Sequence, residues 1–433
     1  MLPVSSEAAG HDRDHLEGVL REVVETLAAL DRTPCSPGER AAAEWLAARL
    51  AALEEVSVSL EEAPSWGTFP PTATGLGLLG VAGALLVLGG RRAAGTLLAA
   101  TSFAGIVDEA QNGPRVLRRL VRRRRTTVNV VARAGERLLK EADRRNGGEP
   151  SGSGTLVVLA HHDAPQTGLL FDQTLQRRLY ELAPQLLERV RTAPPQWWVG
   201  LAGPLSTIAA ALGGRRALAL GGLVIGGVGS ALVADVWRSP TVPGANDNLS
   251  GVAGLVGLAE MLRERPVANL RVLLVSCGAE ETLQDGVRAF MARHRQELAP
   301  GRTWFVNLEM VGSPHLMMLE AEGPVWMERY PGSWLRDLLA SHAKRLGIAL
   351  ERGFRARTST DSVIPGRAGY PVATLLSTTD WRSPANYHLP SDVPENLRYD
   401  TVLDATRLVY ELARGLAAGR LPGQAAEERP AAP

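Results

Sequence analysis

The hydrophobic and polar positions of the chain follow two periodic patterns, interrupted by two long uncharged regions. Apolar residues recur at helical spacing over 12–30, 38–53, 247–262 and 333–346, which predicts four amphipathic helices. Short runs rich in valine and leucine are typical of buried strands. Such runs lie at 56–60, 126–134, 155–163, 270–280 and 303–312, with a further apolar segment at 370–377. Because strands alternate with helices, we predict an α/β fold whose mixed central β-sheet is flanked by helices.

The two uncharged regions have the form of helical hairpins. Their paired stretches are 73–90 with 93–107, around Arg91-Arg92, and 199–214 with 217–234, around Arg215-Arg216. Each stretch has about 15–18 residues, slightly below the roughly 20 that cross a hydrocarbon core. Small residues fill the stretches, as in GLGLLGVAGALLVLGG, and permit close helix packing in lipid. We predict two inserted transmembrane hairpins; the alternative is a buried helical bundle in a soluble protein.

The residues that flank the hairpins bear on how they would lie in a membrane. Aromatic residues stand on the side away from the arginine pairs, as in an interfacial belt: Trp66, Phe69, Trp197, Trp198 and Trp237. Each hairpin returns the chain to its starting side, so the globular part lies on one side only. Seven arginines over 115–125 follow the first hairpin, against two at each hairpin tip. The positive-inside bias then predicts a multi-pass membrane protein whose globular part is cytoplasmic.

Composition mainly excludes alternatives. Lys+Arg 47 against Asp+Glu 46 gives a formal net charge of +1, so no global field attracts nucleic acid, and no nucleic-acid partner is expected. Hydrophobic content of 45% with 21% charged residues excludes a disordered chain. The two cysteines, Cys35 and Cys277, cannot form a disulfide framework, which fits a reducing compartment. The first residues carry acids and histidines, so no signal peptide is expected.

Candidate chemistry lies where the predicted strands end. His161 and Asp163 are two residues apart in AHHD, so they share one face of the strand while His162 points to the other. A metal ligand and its orienting carboxylate use this spacing, although a lone histidine there is more often a satisfied polar residue. Glu280 and Glu281 follow the strand VLLVSC. Adjacent carboxylates repel unless a cation or proton separates them, and a solvated turn is the alternative.

Three further residues complete the candidate set. Asp247 lies in GANDNLSG before a helix, where the pattern is compatible with either a metal ligand or a helix N-cap. Glu309 ends the apolar strand WFVNLEM, where a buried carboxylate is costly unless a partner such as a cation compensates it. His388 lies in the loop ANYHLPSD, where a histidine alone carries no signal. The other candidates have no place in this set and are predicted to be structural or surface residues: Cys277, His294, His315 and His342.

Read together, the motifs AHHD, GANDNLSG, GAEE, NLEM and YHLPSD occur in an order that resembles the M28 family of co-catalytic zinc peptidases. The resemblance extends to PGERAAAEWL, which is similar to the family's opening helix, and to TTVNVVARAGE, which is similar to its second strand. It covers most of the chain outside the hairpins. The expected fold is therefore that of a zinc exopeptidase, with the hairpins inserted beside the active-site rim.

The resemblance implies a ligand set for two zinc ions per chain. His161, Asp247 and Glu309 would bind one ion. Asp247, Glu281 and His388 would bind the other, so that Asp247 bridges the pair. The chain departs from the family at Glu309, where the family usually has aspartate, and the extra methylene moves the carboxylate by about 1 Å against metal–oxygen distances of roughly 2.0–2.2 Å.

The resemblance also implies three catalytic roles. Asp163 would orient the histidine of AHHD. Glu280 would be the general base that takes a proton from a metal-activated water. Tyr387 would donate a hydrogen bond to the oxyanion, as a tyrosine does in some family members; the alternative is a loop aromatic residue that packs on the surface.

The leading functional interpretation is a membrane-anchored zinc exopeptidase, most simply an aminopeptidase that acts on peptide substrates. One alternative is a catalytically inactive, peptidase-like membrane receptor or scaffold. Another is a single-zinc enzyme similar to glutaminyl cyclase, which Glu309 would permit if it weakened the second zinc site. Every expected ligand position still holds a residue able to bind zinc, which favours catalysis.

These expectations divide the chain into peptidase segments and insertions. The peptidase domain would consist of 1–66 (N-terminal helices and first strand), 126–166 and 241–420. The insertions would be 67–125 (first hairpin and basic segment) and 167–240 (second hairpin), and 421–433 would be a disordered tail.

Overall fold

A computed structural model describes residues 6–134 and 154–419 of the chain. The tail predicted at 421–433 lies outside these residues. The described chain forms one nine-stranded sheet. Its strands are β1 (Val56–Ser65), β2 (Arg125–Ala134), β3 (Gly154–His161), β4 (Leu270–Cys277), β5 (Thr303–Glu309), β6 (His315–Glu322), β7 (Glu328–Arg329), β8 (Glu351–Ala356) and β9 (Val372–Thr378).

The sheet has a parallel centre and antiparallel edges. Its order is β1-β2-β4-β3-β5-β9-β6-β7, and β8 pairs with β6. Strands β4, β3, β5 and β9 run parallel to one another and form the centre of the sheet. On either side of this centre, β2 pairs antiparallel with β4 and β6 pairs antiparallel with β9. Every residue of β3 and β5 is buried. Parallel strands that are covered on both faces have nearly continuous apolar sequences, and the sequences of both strands are of this kind.

Helices cover both faces of the sheet, and the predicted fold class, a mixed central sheet flanked by helices, is confirmed. The helices are α1 (Ser6–Ala28), α2 (Pro37–Ala51), α3 (Pro70–Leu88), α4 (Arg92–Ala110), α5 (Val116–Val121), α6 (Thr174–Leu182), α7 (Pro184–Glu188), α8 (Trp198–Gly213), α9 (Arg216–Arg238), α10 (Ser250–Glu264), α11 (Asp285–His294), α12 (Ser333–Leu346), α13 (Val363–Arg367) and α14 (Tyr399–Ala417).

The two faces of the central strand β3 enter two separate cores. Leu156 and Val158 join one core, to which α10 and α14 contribute most of their buried side chains. Val157 and Leu159 join the other core, together with Phe290 of α11. This period of two fixes which residues of β3 face each layer, and it leaves the carboxyl end of the strand free to present polar side chains.

The two predicted hairpins form one four-helix bundle. Helix α3 packs against α4, α9 packs against both α3 and α8, and α4 also contacts α8. Glycines allow these close approaches: a Cβ on Gly83 would lie 2.8 Å from the Gly95 carbonyl oxygen, and one on Gly203 would lie 2.7 Å from the Gly226 Cα. Helices α3 and α9, of 19 and 23 residues, are long and apolar enough to cross a membrane.

The bundle has an arginine end and an aromatic end. A Cβ on Gly214 would lie 3.4 Å from an Nη atom of Arg92, so the two hairpin tips lie side by side. At the other end, the rings of Phe69 and Trp197 are 5.2 Å apart, and the Trp198 indole donates to the Pro324 carbonyl. Three of the five aromatic residues predicted as a belt, Phe69, Trp197 and Trp198, therefore lie at the junction between the bundle and the sheet domain.

The arginine run after the first hairpin has a structural role that the sequence did not indicate. Arg115 and Arg118 are 1% exposed, and they pair with Asp285 and Glu109, respectively. These two arginines therefore belong to the protein interior and face neither water nor lipid. Five arginines over 119–125 then remain against four at the tips, a difference too small to favour a cytoplasmic globular part.

Candidate metal centre

The site is built at the carboxyl edge of the parallel strands. His161 is the last residue of β3 and pairs in register with Cys277, the last residue of β4. Glu280 and Glu281 follow in a short helical turn, and Glu309 ends the neighbouring strand β5. Because adjacent parallel strands end at the same edge, their terminal polar side chains converge.

Two loops add the remaining candidate ligands. Asp247 comes from the loop before α10 and His388 from the loop after β9. The Nε2 atom of His161 lies 3.3 Å from Asp247 Oδ1 and 3.4 Å from Glu309 Oε1. The Nε2 atom of His388 lies 3.3 Å from Asp247 Oδ2 and 3.5 Å from Glu281 Oε1. The two carboxylate oxygens of Asp247 therefore face two different triads.

These triads have the composition of zinc sites. In each of them, one ligand atom per residue can be chosen so that all lie within 4.8 Å of one another; the triads are His161, Asp247, Glu309 and Asp247, Glu281, His388. The buried His161 Nε2 has no hydrogen-bond partner, which fits an atom that binds a metal. Histidine nitrogen with carboxylate oxygen is a ligand set that zinc accepts. The residues present therefore fit two zinc ions that share Asp247.

The electrostatics of the cluster also call for a cation. Burial raises the pKa values of the Glu280 and Glu281 carboxyls well above their usual range, and neighbouring carboxylates add to the effect. Burial opposes protonation of His161, but Asp163, Asp247 and Glu309 outweigh it and raise the pKa of that imidazole. So many buried carboxylates remain ionised together only when positive charge lies among them.

Asp247 does not cap the helix that follows it. Its side chain faces the two histidines, and α10 begins at Ser250 with no side-chain cap. The helix-cap interpretation is therefore wrong. The backbone of the loop is held by Asp392, whose carboxylate accepts the N–H groups of Asn246 and Asp247 at 2.7 and 3.0 Å.

Asp163 contacts both the histidine and the acidic loop. Its Oδ1 atom lies 3.4 Å from His161 Nδ1. Its carboxylate also accepts the backbone N–H groups of Glu280 and Glu281, at 3.0 and 2.9 Å. Asp163 thus contacts three candidate site residues, two more than the AHHD spacing suggested. His162 points away, as predicted, and its Nδ1 atom lies 2.9 Å from Ser276 Oγ.

The remaining candidates lie around the cluster. Glu309 reaches His161 while its Oε2 atom accepts a hydrogen bond from the Asn307 amide at 3.0 Å. Glu280 accepts a hydrogen bond from the Gln284 amide. The ring of Tyr387 packs on that of His388 with centroids 4.0 Å apart, and Tyr387 lines the same cavity as the acidic residues.

Two residues outside the site were predicted only as structural or surface residues, and their contacts agree. His294 pairs with Glu61, and His315 pairs with Asp380 at the surface.

Several residues that support the site were missed by sequence reasoning. The Glu39 carboxylate accepts the Ala279 N–H at 2.7 Å, immediately before the acidic turn. The guanidinium of Arg32 donates to the carbonyls of His162 and Pro243, at 2.9 and 2.6 Å. Asp361 is fully buried, and burial raises its pKa to about 8. Of these residues, only Glu39 lies in a motif that the sequence analysis identified, PGERAAAEWL.

The first insertion also supports the acidic turn. Arg115 donates to the carbonyls of Thr282 and Leu283 at 2.9 and 3.1 Å, and Arg118 donates to the Thr282 carbonyl at 2.5 Å. Two sets of hydrogen bonds therefore fix the turn that carries Glu280 and Glu281. Asp163 binds its backbone N–H groups, and the arginines that follow the first hairpin bind its backbone carbonyls.

Comparison with known proteins agrees with this geometry. The sequence model of peptidase family M28 matches residues 232–413, so the resemblance seen in the motifs is confirmed over that segment. No curated protein sequence gives a match to this chain.

Solved structures with the same fold include zinc exopeptidases and aminopeptidases. LapB from Legionella pneumophila is 12% identical, covering 96% of this chain and 76% of its own, with a TM-score of 0.52. An aminopeptidase from Aneurinibacillus sp. strain AM-1 is 14% identical, covering 93% of each chain, with a TM-score of 0.52. A Zn-dependent exopeptidase from Parabacteroides distasonis is 14% identical, covering 92% and 97%, with a TM-score of 0.50. At these identities the similarity shows the zinc exopeptidase fold.

Proposed function

We propose that this chain is a membrane-anchored, zinc-dependent aminopeptidase. The observation that supports this most strongly is the pair of His/carboxylate triads that share Asp247, one oxygen toward each histidine. A scaffold that had lost catalysis would have no need to keep five polar groups, four of them buried, in this costly arrangement. The aminopeptidase fold of the neighbouring structures is consistent with the same activity.

The chemistry divides between the metal ligands and two further side chains. Bound zinc would polarise the scissile carbonyl and lower the pKa of the attacking water toward neutrality. Glu280, which lines the cavity beside the ligands, accepts the proton of that water on a carboxylate oxygen and transfers it to the departing amine. The Tyr387 hydroxyl donates a hydrogen bond to the oxygen that becomes negative in the transition state.

The activity can be tested with a panel of substrates that differ only at the amino terminus. Detergent-purified protein should release the first residue from amino-acid anilides and free peptides, and it should leave the N-acetylated counterparts intact. A chelator should abolish the hydrolysis, and added zinc should restore it. Hydrolysis of blocked peptides alone would contradict aminopeptidase action, and cyclisation of N-terminal glutamine without hydrolysis would instead identify the glutaminyl-cyclase alternative.

Membrane anchoring is supported by how little of the apolar bundle is covered by protein. In the most apolar 18-residue stretches of α3 and α9, 44% and 28% of the stretch is buried by the rest of the protein, although the mean hydropathies are 1.8 and 2.0. The core helix of a soluble bundle would bury most of such a surface. Leucines that point outward from the bundle, including Leu78, Leu97 and Leu212, are more than half exposed. Lipid is the solvent that suits these faces.

A second apolar face lies beside the base of the bundle. Along α6 and α7, four leucines with 48–83% exposure recur at helical spacing: Leu175, Leu179, Leu182 and Leu186. The segment begins close to α9, since the Leu169 N–H donates to Asp235 at 2.7 Å. An amphipathic helix in this position suits the interface between lipid and water, with its apolar face in the acyl region.

We expect Leu78→Arg to reduce membrane recovery of the protein. Leu78 is 54% exposed near the middle of α3, so an arginine there costs little in water but about 2.5–3.5 kcal/mol in the hydrocarbon core. The matched control is Leu60→Arg, at a 44% exposed position on β1. The measurement is the fraction retained in membranes after a carbonate wash. Equal retention of both variants, or a wild type that is soluble without detergent, would contradict membrane anchoring.

The crossing of the bundle can be tested by cysteine labelling. In a background that carries Cys35→Ser, single cysteines at Arg92 and Arg216 should react with an impermeant reagent from the same side, because the tips are adjacent. A cysteine at the exposed Arg124 should react only from the opposite side. Labelling of all three positions from one side would mean that the bundle lies on the membrane and does not cross it.

We expect Glu309→Asp to retain or increase occupancy of both zinc sites. Aspartate is the residue that the family resemblance implies here, and His161 and Asp247 remain to complete the triad. Zinc affinities of wild type and variant, measured by titration with a competing chelator, provide the test. A fall of more than tenfold would mean that the backbone of β5 has adapted to glutamate.

A further inference from the structure

A single cavity connects the candidate zinc cluster with the four-helix bundle. Asp247, Glu281 and Glu309 line one end, and residues of α3, α4, α8 and α9 line the other. The empty space between the lining residues, which includes open solvent, amounts to about 1120 Å³. The ring of Phe171 packs over His388 between the two ends, with centroids 4.1 Å apart. The catalytic cluster and the apolar bundle therefore share one substrate space.

The two ends of the cavity differ in chemistry. Among the described residues that line it, all charged side chains belong to the cluster end. The bundle end is lined by small or apolar residues, among them Ala73, Ile106, Val199 and Val233. A charged or strongly hydrated group placed there would lose its water without gaining a partner, whereas an apolar chain would gain free energy for each methylene buried.

One wall of the bundle end is formed by residues of α9. Gly226, Gly229 and Ser230 line the cavity, and the lining continues to Val233. Seven residues of helix span about 10 Å, so this wall can accommodate an extended chain. At Gly200, on α8, an added Cβ would have its nearest neighbour at 3.8 Å, an atom of Ile106 that also lines the cavity. A side chain at position 200 would thus enter the cavity without a clash.

We propose that the natural substrate is an amphiphile: an amide with a free amino terminus that carries an extended apolar chain. The amide lies at the zinc cluster, and the chain lies between α3, α8 and α9. Hydrolysis adds water across the amide and yields a carboxylic acid and an amine, so no other reactant is needed. The proposal rests on the aminopeptidase function proposed above and names its substrate class.

The bundle end of the cavity could hold either an apolar chain of the substrate or a membrane lipid, and the structure favours the substrate chain. The apolar space does not end at the bundle but continues to Glu280 and Glu309, where a lipid would place its polar group among carboxylates without a bond to cleave. An apolar chain on the scissile amide satisfies both ends of the cavity at once, and in an anchored enzyme it need not leave the bilayer.

The test uses two series of amides derived from leucine. The protein is studied in lipid nanodiscs, because detergent chains would compete with the substrate for the cavity. In one series the leaving amine grows from methyl to butyl to octyl. In the other the side chain of the amino-terminal residue grows over the same lengths. We expect kcat/KM to rise at least tenfold along one series, which identifies the side of the amide that carries the chain.

Variants separate binding in the cavity from partition into the bilayer. Gly200→Leu fills the cavity, and its loss in kcat/KM should grow with chain length, reaching at least tenfold for the octyl substrate. The matched control is Gly227→Leu, in the same bundle, where an added Cβ meets nothing within 4 Å and which does not line the cavity. It should behave as wild type. Ile106→Ala enlarges the cavity and should shift the preferred chain length upward.

The outcomes distinguish this inference from the proposed function. Hydrolysis of the methyl substrates with no dependence on chain length in either series would overturn the amphiphile assignment and leave the aminopeptidase intact. An equal rise in wild type, Gly200→Leu and Gly227→Leu would also overturn it, since partition alone would explain the rise. Absence of chelator-sensitive hydrolysis of every substrate would overturn the proposed function, and the amphiphile assignment with it.

Discussion

Glu280→Gln is expected to lower kcat by about 10²–10⁴ while the protein keeps its fold and its zinc. The amide is nearly isosteric with the carboxylate but cannot accept the proton of the attacking water, and general base catalysis is worth about that factor. Glu280 lies 4.0 Å from His161 Nε2, and although it can group with His161 and Glu281, it belongs to neither triad that shares Asp247. We expect those two triads to keep the metal when the base is removed.

The neighbouring residue provides the control for this prediction. Glu281 belongs to the triad with Asp247 and His388, so Glu281→Gln should lower zinc content as well as activity. Steady-state kinetics and zinc content per chain, measured on both variants, separate the two roles. Activity of Glu280→Gln within about tenfold of wild type would rule out this residue as the general base.

Asp247→Ala is expected to abolish binding of at least one zinc ion and all hydrolysis. The two oxygens of Asp247 face His161 and His388 at 3.3 Å each, so its removal takes one ligand from both triads. Without the shared carboxylate, two nearby cations would also repel each other with no negative charge between them. Zinc content and hydrolysis of an amino-acid anilide are the two measurements.

A surface variant controls for the loss of a carboxylate as such. Asp380 is about half exposed, pairs with His315 and belongs to neither triad, so Asp380→Ala should keep zinc and activity. Circular dichroism and thermal unfolding should show that both variants are folded, with Asp247→Ala less stable in the presence of zinc only. Unchanged zinc content in Asp247→Ala would remove Asp247 from the metal site.

The parts of the site that sequence could predict are those encoded at strand ends. His161 and Glu309 end strands whose apolar runs are readable locally, and adjacent parallel strands bring their ends together whatever the connections between them. Asp247 and His388 lie in loops, where the pattern alone left other roles open, and only the order of the five motifs selected them. The fold class followed from the same alternation of strands and helices.

The parts that could not be predicted depend on contacts between distant segments. Arg115 and Arg118 look like other arginines of a basic run, yet they are buried because Asp285 and Glu109 meet them in the fold. Arg32 contacts carbonyls about 130 and 211 residues away, which no local pattern encodes. Likewise, local hydropathy predicts two hairpins but not that Gly203 and Gly226 lie in one bundle whose cavity opens on the candidate metal site.

Helix α14 shows a different limit. Its sequence, YDTVLDATRLVYELARGLA, is amphipathic, and thirteen of its residues are buried against the sheet domain. The helical spacing of its apolar residues is therefore sufficient to predict this helix. Strand β6 is harder to identify, because HLMMLEAE combines methionine and glutamate in a segment that is stabilised by antiparallel pairing with β9. Strands of this kind are defined by their neighbours more than by their own residues.

If two triads that share Asp247 bind a catalytic zinc pair, the zinc stoichiometry of the protein must show it. Metal-free protein in nanodiscs should be titrated with zinc while metal content per chain and release of leucine from its anilide are followed together. We expect saturation at two zinc ions per chain, with hydrolysis appearing as the sites fill. Binding of no zinc, or saturation at two ions without hydrolysis of any unblocked substrate, would contradict this expectation.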